Sequence, residues 1–306
     1  MRAWLFPGQG SQYVGMLRSL VEAFPYAQER LRQAEVILGF ELGRICFEGP
    51  EELLRQTQYT QPALFVHEAI LVELVRELLP ATAVAGHSLG EYSAFYAAGV
   101  LEFEDALRLV QLRGQLMAEA ASHQAGTMLA VLGLEDAVVE ELCTRLSSDS
   151  EVLVPANYNA PGQLVVSGSA SLARAAIDAF RSAGALKVVE LAVSGAFHSP
   201  LMEAARQRLA EAIAQTPFHS PRMPIYCNVS AEPLHDVTQL REALIAQLTS
   251  PVQWKQILHR MYADGIREFV EVGPGKVLQG LVRRTLSDAV VRGIDTAEDV
   301  RRLQRP

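Results

Sequence analysis

A serine flanked by glycines is the first place in this sequence where residue types and spacing could support chemistry. Residues 86 to 90 read Gly-His-Ser-Leu-Gly, which matches the G-x-S-x-G pattern of a nucleophile elbow. In an elbow the serine lies on a strained turn between a strand and a helix, where glycines avoid a steric clash. The Oγ atom of Ser88 would then lie at a helix N-terminus, where backbone N–H groups favour developing negative charge. The pattern predicts a nucleophilic serine, and a glycine-flanked turn with an incidental serine is the alternative.

A nucleophilic serine needs a base, and His198 is the best candidate among the seven histidines. It follows a predicted strand and a glycine in AVSGAFHSPLM, where a large α/β sheet carries its active-site loops. His67 falls within a helical pattern, and His87, which could shape the pocket, should point its side chain away from the Ser88 Oγ. The other four stand in polar stretches typical of a surface: His123, His219, His235 and His259. No acid between Ser88 and His198 is well placed as a third member, so either a backbone or amide carbonyl orients the imidazole or the base lies elsewhere.

The composition is that of a globular protein. A chain of 306 residues, of which 49% are hydrophobic, can bury one large core, or a large core with a smaller inserted domain. The net charge of −8 argues against nucleic-acid binding, and no run of about 18 uncharged apolar residues predicts a membrane span. The three cysteines are far apart and in no CxxC arrangement, which argues against disulfides or a zinc site. We therefore expect a cytoplasmic protein.

Short apolar runs alternate along the chain with longer segments of helical period, a pattern typical of parallel strands covered by helices. The fold class is therefore predicted to be α/β. For the large sheet the pattern predicts strands at 3–6, 83–85 and 268–272, and helices at 62–79, at 91–98 and from 276 onwards. The first of these helices is expected to open on Pro62, because proline is favoured at the first helical position.

The order of predicted strands and helices changes between about residues 125 and 193. The order there is βαββαβ, which is the split unit of ferredoxin-like domains. The elements predicted in this segment are 127–132, 135–146, 152–156, 164–167, 171–182 and 187–191. We predict a large α/β-hydrolase-like domain formed by residues 1–124 and 194–306, with a smaller ferredoxin-like domain of residues 125–193 inserted into it.

Seven segments, in this order, resemble the malonyl-CoA:acyl carrier protein transacylase family. They are FPGQGSQ (6–12), TQYTQPALF (57–65), GHSLGEY (86–92), NYNAPGQLVVSG (157–168), GAFHSPLM (195–202), SPVQW (250–254) and EVGPGKVL (271–278). The family includes enzymes of bacterial fatty-acid synthesis and acyltransferases of polyketide synthases, and the resemblance runs nearly from end to end.

The resemblance implies roles for the residues around the serine. Ser88 would be the nucleophile and His198 the base, with the backbone carbonyl of Gln247 orienting the imidazole instead of a carboxylate. The backbone N–H groups of Gln9 and Leu89 would form the oxyanion hole.

The resemblance also implies how the acyl group is chosen. Arg113 would bind the free carboxylate of malonate, which suits a guanidinium because it forms paired hydrogen bonds; taken alone, a surface arginine is the alternative. Phe197 would crowd the α-carbon, and rejection of one methyl is typically worth about 1–3 kcal/mol. Asn157 and Asn159 match family positions near the acyl site, although amide residues before a proline also form ordinary turns.

The activity that the resemblance implies is transfer of a malonyl group from malonyl-CoA, through an ester on Ser88, to the phosphopantetheine thiol of an acyl carrier protein. No metal or redox cofactor is expected, and a free-standing monomer is the family norm. The nearest rival is an acyl-thioester hydrolase on the same scaffold, and a more distant one is a docking module with an idle serine.

Overall fold

The structure, a computed structural model, describes residues 1–304 and contains two β-sheets. Within these residues the ten strands are β1 (Arg2–Phe6), β2 (Ala83–Gly86), β3 (Gly126–Leu132), β4 (Leu153–Ala160), β5 (Gln163–Ser169), β6 (Lys187–Glu190), β7 (Ile225–Tyr226), β8 (Pro233–Leu234), β9 (Glu268–Val272) and β10 (Val290–Ile294). Six of them form one sheet in the order β10-β9-β1-β2-β7-β8, and four form the other in the order β4-β5-β3-β6.

Helices cover both sheets. Across residues 1–304 the α-helices are α1 (Arg18–Ala23), α2 (Pro25–Leu38), α3 (Leu42–Glu48), α4 (Glu51–Leu54), α5 (Thr57–Val75), α6 (Gly90–Ala97), α7 (Phe103–His123), α8 (Asp136–Leu146), α9 (Ala170–Ser182), α10 (Glu203–Gln215), α11 (Val237–Ala246), α12 (Trp254–Ala263), α13 (Val277–Thr285) and α14 (Ala297–Gln304). Short 3₁₀-helices span Pro200–Met202 and Gln247–Thr249. No helix in the described part of the chain is both long and apolar enough to cross a membrane.

The centre of the six-stranded sheet is parallel and buried. Strand β1 pairs in parallel with β2 on one side and β9 on the other. The residues of β2 are all buried, as expected for a parallel sheet with helices on both faces. Phe6 pairs with Gly86, so the turns that follow β1 and β2 leave the same edge of the sheet side by side. This edge, at the carboxyl ends of the strands, is where α/β sheets place their sites.

The four-stranded sheet is antiparallel and has the predicted βαββαβ order. Strand β3 pairs with β5 and β6, and β5 also pairs with β4. Helices α8 and α9 contribute Val139 and Phe180 to a separate core with residues of the sheet such as Val166. The predicted fold class is confirmed, and the domain limits at 125 and 193 stay a prediction.

Strand β4 connects the small sheet to the large domain through backbone hydrogen bonds. The Tyr158 N–H donates to the Val252 carbonyl at 2.9 Å, and the Val252 N–H donates to the Ala156 carbonyl at 2.8 Å. Residue 252 lies just after the second 3₁₀-helix, Gln247–Thr249. The small domain is therefore attached to the segment that carries Gln247.

Two predicted boundaries are wrong in ways that affect the site. Helix α5 begins at Thr57, and Pro62 lies inside it; burial of the preceding turn, with the Thr60 hydroxyl donating to the Leu54 carbonyl at 2.6 Å, holds the helix despite the missing proline N–H. Strand β4 was predicted to end at residue 156 but continues to Ala160, because two register shifts keep it paired with β5.

Candidate active site

Ser88 occupies a strained turn between β2 and α6. Its φ of 53° lies in the left-handed region, which few residues other than glycine adopt. A Cβ on Gly86 would lie 1.9 Å from the Gly90 carbonyl carbon, and one on Gly90 would lie 2.1 Å from the Phe6 oxygen. Both glycines are therefore required by close backbone contact, as expected for an elbow.

His198 lies within hydrogen-bond distance of the serine although 110 residues separate them in the chain. Its Nε2 is 2.7 Å from the Ser88 Oγ, and its Nδ1 is 3.0 Å from the Gln247 carbonyl oxygen and 3.1 Å from that of Ser250. Since a carbonyl can only accept, Nδ1 carries the proton and Nε2 offers its lone pair to the serine hydroxyl. Two backbone carbonyls thus take the place of the acid that the sequence lacked.

The imidazole of His198 is held in its neutral form. It is 3% exposed, and burial, with the positive charge of Arg113 as the second cause, lowers its pKa to about 3. Both effects disfavour the protonated ring. At neutral pH the ring can therefore accept a proton from Ser88.

Arg113 is buried beside the serine rather than exposed on α7, so the alternative of a surface arginine is wrong. It is 1% exposed. One guanidinium nitrogen, Nη2, donates to the Ser88 Oγ and to the Gln247 Oε1, each at 3.0 Å, and Nη1 donates to the Gln61 Oε1 at 2.7 Å. The early start of α5 places Gln61 on the helix, facing Arg113. A guanidinium held at this position can pair with a carboxylate attached to an acyl group on the serine.

One cavity, open to solvent, brings most of the predicted site together. Its lining contains the predicted residues Gln9, His87, Ser88, Leu89, Arg113, Asn157, Phe197 and His198, together with Met117, Met128, Leu191 and Val193. Gln247 lies behind this lining and reaches the site through His198 and Arg113. The apolar residues were missed because methionine, leucine and valine are ordinary core residues, so their presence in a sequence does not indicate a site.

The predicted oxyanion-hole donors, Gln9 and Leu89, both line the cavity that contains Ser88. Gln9 follows β1, and Leu89 directly precedes α6, so its N–H is one of the unpaired donors of a helix N-terminus. Neither backbone N–H has a protein acceptor within residues 1–304. Both are therefore available to an oxygen in the cavity.

His87 points away from the serine hydroxyl, and only one of the two predicted asparagines lines the cavity. The His87 Nε2 is 2.8 Å from the Asn159 Oδ1, so the ring points towards β4 and away from the Ser88 Oγ, as predicted. Asn157 lines the cavity, whereas Asn159 contacts it only through His87. Phe197, 5% exposed, forms part of the cavity wall directly before His198.

Two functional candidates were missed by sequence reasoning. Glu91 is fully buried and accepts from the Gln247 Nε2 at 2.5 Å and from the Asn228 N–H at 2.7 Å. The side chain of Asn228 in turn accepts from the Ser88 N–H at 2.8 Å and donates to the Gly86 carbonyl at 2.7 Å. Glu91 lies within the GHSLGEY segment, which was a signal, whereas Asn228 stands alone in a loop. Together the hydrogen bonds of Glu91 and Asn228 fix the backbone of the elbow at Gly86 and Ser88.

The other histidines contribute no base. His67 is buried on α5 with its Nε2 2.9 Å from the Asp295 carbonyl oxygen, and the four predicted surface histidines are exposed. In the described residues no group of three or more His, Cys, Asp or Glu side chains could hold a metal ion.

A serine elbow paired with a histidine on an α/β sheet defines the class of enzymes that form an ester on serine. Comparison with known families makes this assignment specific. The sequence profile of the acyl transferase domain matches residues 3–306. The chain therefore belongs to this family, and within it to the malonyl-CoA:acyl carrier protein transacylases that the sequence resembles.

Individual relatives match this chain in sequence and in structure over nearly its whole length. The chain is 42% identical over 299 residues to the malonyl CoA-acyl carrier protein transacylase of Staphylococcus aureus, covering 98% of this chain and 97% of that protein. The crystal structure of an acyl carrier protein S-malonyltransferase from Vibrio cholerae matches with a TM-score of 0.94 at 38% identity and covers 99% of both chains. A malonyl-transacylase solved in complex with its type II polyketide synthase acyl-carrier protein matches with a TM-score of 0.94 at 36% identity, covering 99% of this chain and 98% of that one.

Proposed function

We propose that this protein transfers a malonyl group from malonyl-CoA, through an ester on Ser88, to the phosphopantetheine thiol of an acyl carrier protein. The observation that carries the proposal is the position of the Ser88 Oγ, 2.7 Å from the Nε2 of His198 and 3.0 Å from the Nη2 of Arg113. A nucleophile, a base and a cation for a carboxylate thus meet at one oxygen. The malonyl-transacylase names of the relatives, one of them in complex with its carrier protein, support the same reaction.

The first half of the reaction forms the acyl-enzyme. His198 takes the proton of the Ser88 hydroxyl as its Oγ attacks the thioester carbonyl of malonyl-CoA. The oxyanion is stabilised by the backbone N–H groups of Gln9 and Leu89, and each donor of this kind is typically worth about 2.7–4 kcal/mol. The tetrahedral intermediate collapses, the carbon–sulfur bond breaks, and the imidazolium returns its proton to the leaving coenzyme A thiolate.

The second half reverses these steps with a different thiol. His198 takes the proton of the phosphopantetheine thiol, whose sulfur attacks the ester carbonyl of malonyl-Ser88. The bond to the Ser88 Oγ breaks, and the proton returns from the imidazolium to that oxygen. Both half-reactions balance in atoms, protons and electrons without a metal or redox cofactor.

Arg113 selects an acyl group that carries a carboxylate. In the free protein its guanidinium donates to Ser88 and to two glutamine side chains, Gln61 and Gln247. When malonate is esterified to Ser88, its carboxylate lies close enough to replace the bond to the serine hydroxyl, and a charge-assisted pair forms in a buried site. A methyl branch at the α-carbon would meet Phe197.

The experiment that tests the proposal measures acyl-enzyme and thiol release in the same samples. We expect malonyl-CoA to add one malonyl group to the wild type, seen by intact-protein mass spectrometry, and expect Ser88→Ala to abolish the adduct. Coenzyme A should then be released continuously only when a phosphopantetheinylated carrier protein is present. Release without carrier protein would identify a hydrolase, and an adduct retained in Ser88→Ala would place the nucleophile elsewhere.

A further inference from the structure

Arg113 is a buried cation that no described carboxylate contacts directly. Its guanidinium donates to Gln61, Ser88 and Gln247. Burial lowers the pKa of Arg113, and the charge of Glu91 is among the effects that oppose this shift. The route from Arg113 to Glu91 runs through the side chain of Gln247, whose amide contacts both.

The amide of Gln247 has only one orientation that suits its neighbours. Its Nε2 lies 2.8 Å from the Ser88 carbonyl oxygen and 2.5 Å from the Glu91 Oε2, and both of these groups accept hydrogen bonds. Its Oε1 lies 3.0 Å from the Nη2 of Arg113, a nitrogen that can only donate. The carboxylate of Glu91 therefore helps to determine which end of the amide faces the guanidinium.

Glu91 is itself fixed on its other side. Its Oε1 accepts from the Asn228 N–H at 2.7 Å, and Glu91 and Asn228 are each fully buried. The carboxylate cannot turn without leaving one of these donors unsatisfied, which is costly in a buried site.

We propose that Glu91 is a positioning residue for substrate selection, which acts through Gln247 to hold the Arg113 guanidinium beside Ser88 with donors free for an acyl carboxylate. A carboxylate in direct contact with Arg113 would form a paired salt bridge and compete with malonate. With one amide between them, Glu91 fixes Gln247 by accepting its hydrogen bond but leaves the guanidinium open towards the cavity. The inference rests on the proposed function, which gives Arg113 a carboxylate to bind.

The variant that tests this role is Glu91→Gln, because it conserves shape and replaces one acceptor oxygen by an NH₂ donor. If the new amide oxygen accepts from Asn228, the new NH₂ group faces the Nε2 of Gln247; the opposite orientation sets an NH₂ group against the Asn228 N–H. Either mismatch disturbs the network, and reversal of Gln247 would turn a donor towards Arg113. We expect kcat/KM for malonyl-Ser88 formation to fall about 10- to 100-fold, mainly through KM, and acetyl-Ser88 formation from acetyl-CoA to fall by a smaller factor, so that the ratio of malonyl to acetyl loading decreases.

Two further variants separate this role from a structural one. Glu68 is also fully buried and accepts a hydrogen bond from Ser93, but it contacts neither Gln247 nor Arg113; Glu68→Gln should leave the ratio of malonyl to acetyl loading unchanged. Gln247→Met removes the amide but keeps the backbone carbonyl that accepts from His198, so it should also lower malonyl loading by a larger factor than acetyl loading. Thermal unfolding of each variant reports whether it is folded.

The outcomes are distinct. A selective loss of malonyl loading in Glu91→Gln and Gln247→Met supports the proposal, whereas an equal loss for both acyl groups, or no loss, overturns it. If Glu91→Gln does not fold, Gln247→Met decides the question. A wild type that forms no malonyl-Ser88 would refute the proposed function instead.

Discussion

The two walls of the cavity are built differently. On the large-domain side Ser88, His198 and Arg113 belong to one network of buried polar groups, each held by partners at hydrogen-bond distance. On the other side the lining includes Met128 of β3 and, after β6, the half-buried Leu191 and Val193, with Asn157 of β4 as the polar exception. The difference indicates that the polar network for the chemistry lies on the large-domain side, whereas the other side contributes mainly apolar surface to the cavity.

The residue types on each side of the cavity follow from what that side has to do. Proton transfer and carboxylate binding require polar atoms at fixed separations, and burying such atoms without hydrogen-bond partners costs free energy. An apolar wall has to supply shape only, so its residues tolerate exchange within a similar volume. Substitutions on the network side should therefore change rates far more than substitutions on the β4 side.

The largest effect in this comparison is expected from Arg113→Ala. Truncating one partner of a buried charged pair typically costs about 2–5 kcal/mol, so malonyl loading should fall roughly 30- to 4,000-fold, whereas acetyl loading should be unchanged or better. Rates of acyl-Ser88 formation with the two coenzyme A esters check this. Arg108→Ala, at an exposed position on the same helix, is the matched control, and equal losses for both substrates would refute the carboxylate role.

A smaller effect is expected from Phe197→Ala, which enlarges the cavity next to the base. Because exclusion of one methyl group is worth about 1–3 kcal/mol, the preference for malonyl-CoA over methylmalonyl-CoA should weaken by roughly 5- to 150-fold. Competition between the two esters, read by mass spectrometry of the carrier protein, measures the ratio. An unchanged preference would mean that another residue rejects the branched substrate.

A still smaller effect is expected from Asn159→Ala on the β4 side. This substitution removes the partner of the His87 Nε2, 2.8 Å away, but no group that touches the Ser88 Oγ. The loss of one such hydrogen bond, about 1 kcal/mol, should lower kcat/KM roughly fivefold for malonyl-CoA and acetyl-CoA alike. A loss as large as that of Arg113→Ala would break the division between the two walls.

Almost no effect is expected from lowering the pH through the usual range of histidine. Burial and Arg113 lower the pKa of His198 to about 3, so the imidazole stays neutral, and competent as a base, as the pH falls past about 6.5. Acetyl-Ser88 formation is the suitable measurement, because an acetyl group has no free carboxylate to bind at Arg113. A loss of rate with a midpoint near the ordinary histidine value would show that the ring is not protected in this way.

The elbow could be predicted from the sequence because its cause is local. Glycines at 86 and 90 are needed wherever backbone segments approach as closely as these do, and Ser88 lies between them at a φ of 53°. The alternation of apolar runs with helical segments likewise indicated the α/β class and the βαββαβ order. Boundaries were less predictable: α5 begins five residues before Pro62, since packing of its first turn outweighs the signal of the proline.

The tertiary structure alone decided how the site is held together. His198 reaches Ser88 across 110 residues, and the carbonyls that orient it belong to Gln247 and Ser250. Every residue has a backbone carbonyl, so the residue types at positions 247 and 250 do not indicate that their carbonyls are functional. Whether Arg113 is a surface residue or a buried cation depends in the same way on which helices pack around α7. The sequence by itself determined the strained serine turn and the order of elements, because these follow from local sterics and periodicity, while the network around them exists only where distant segments pack.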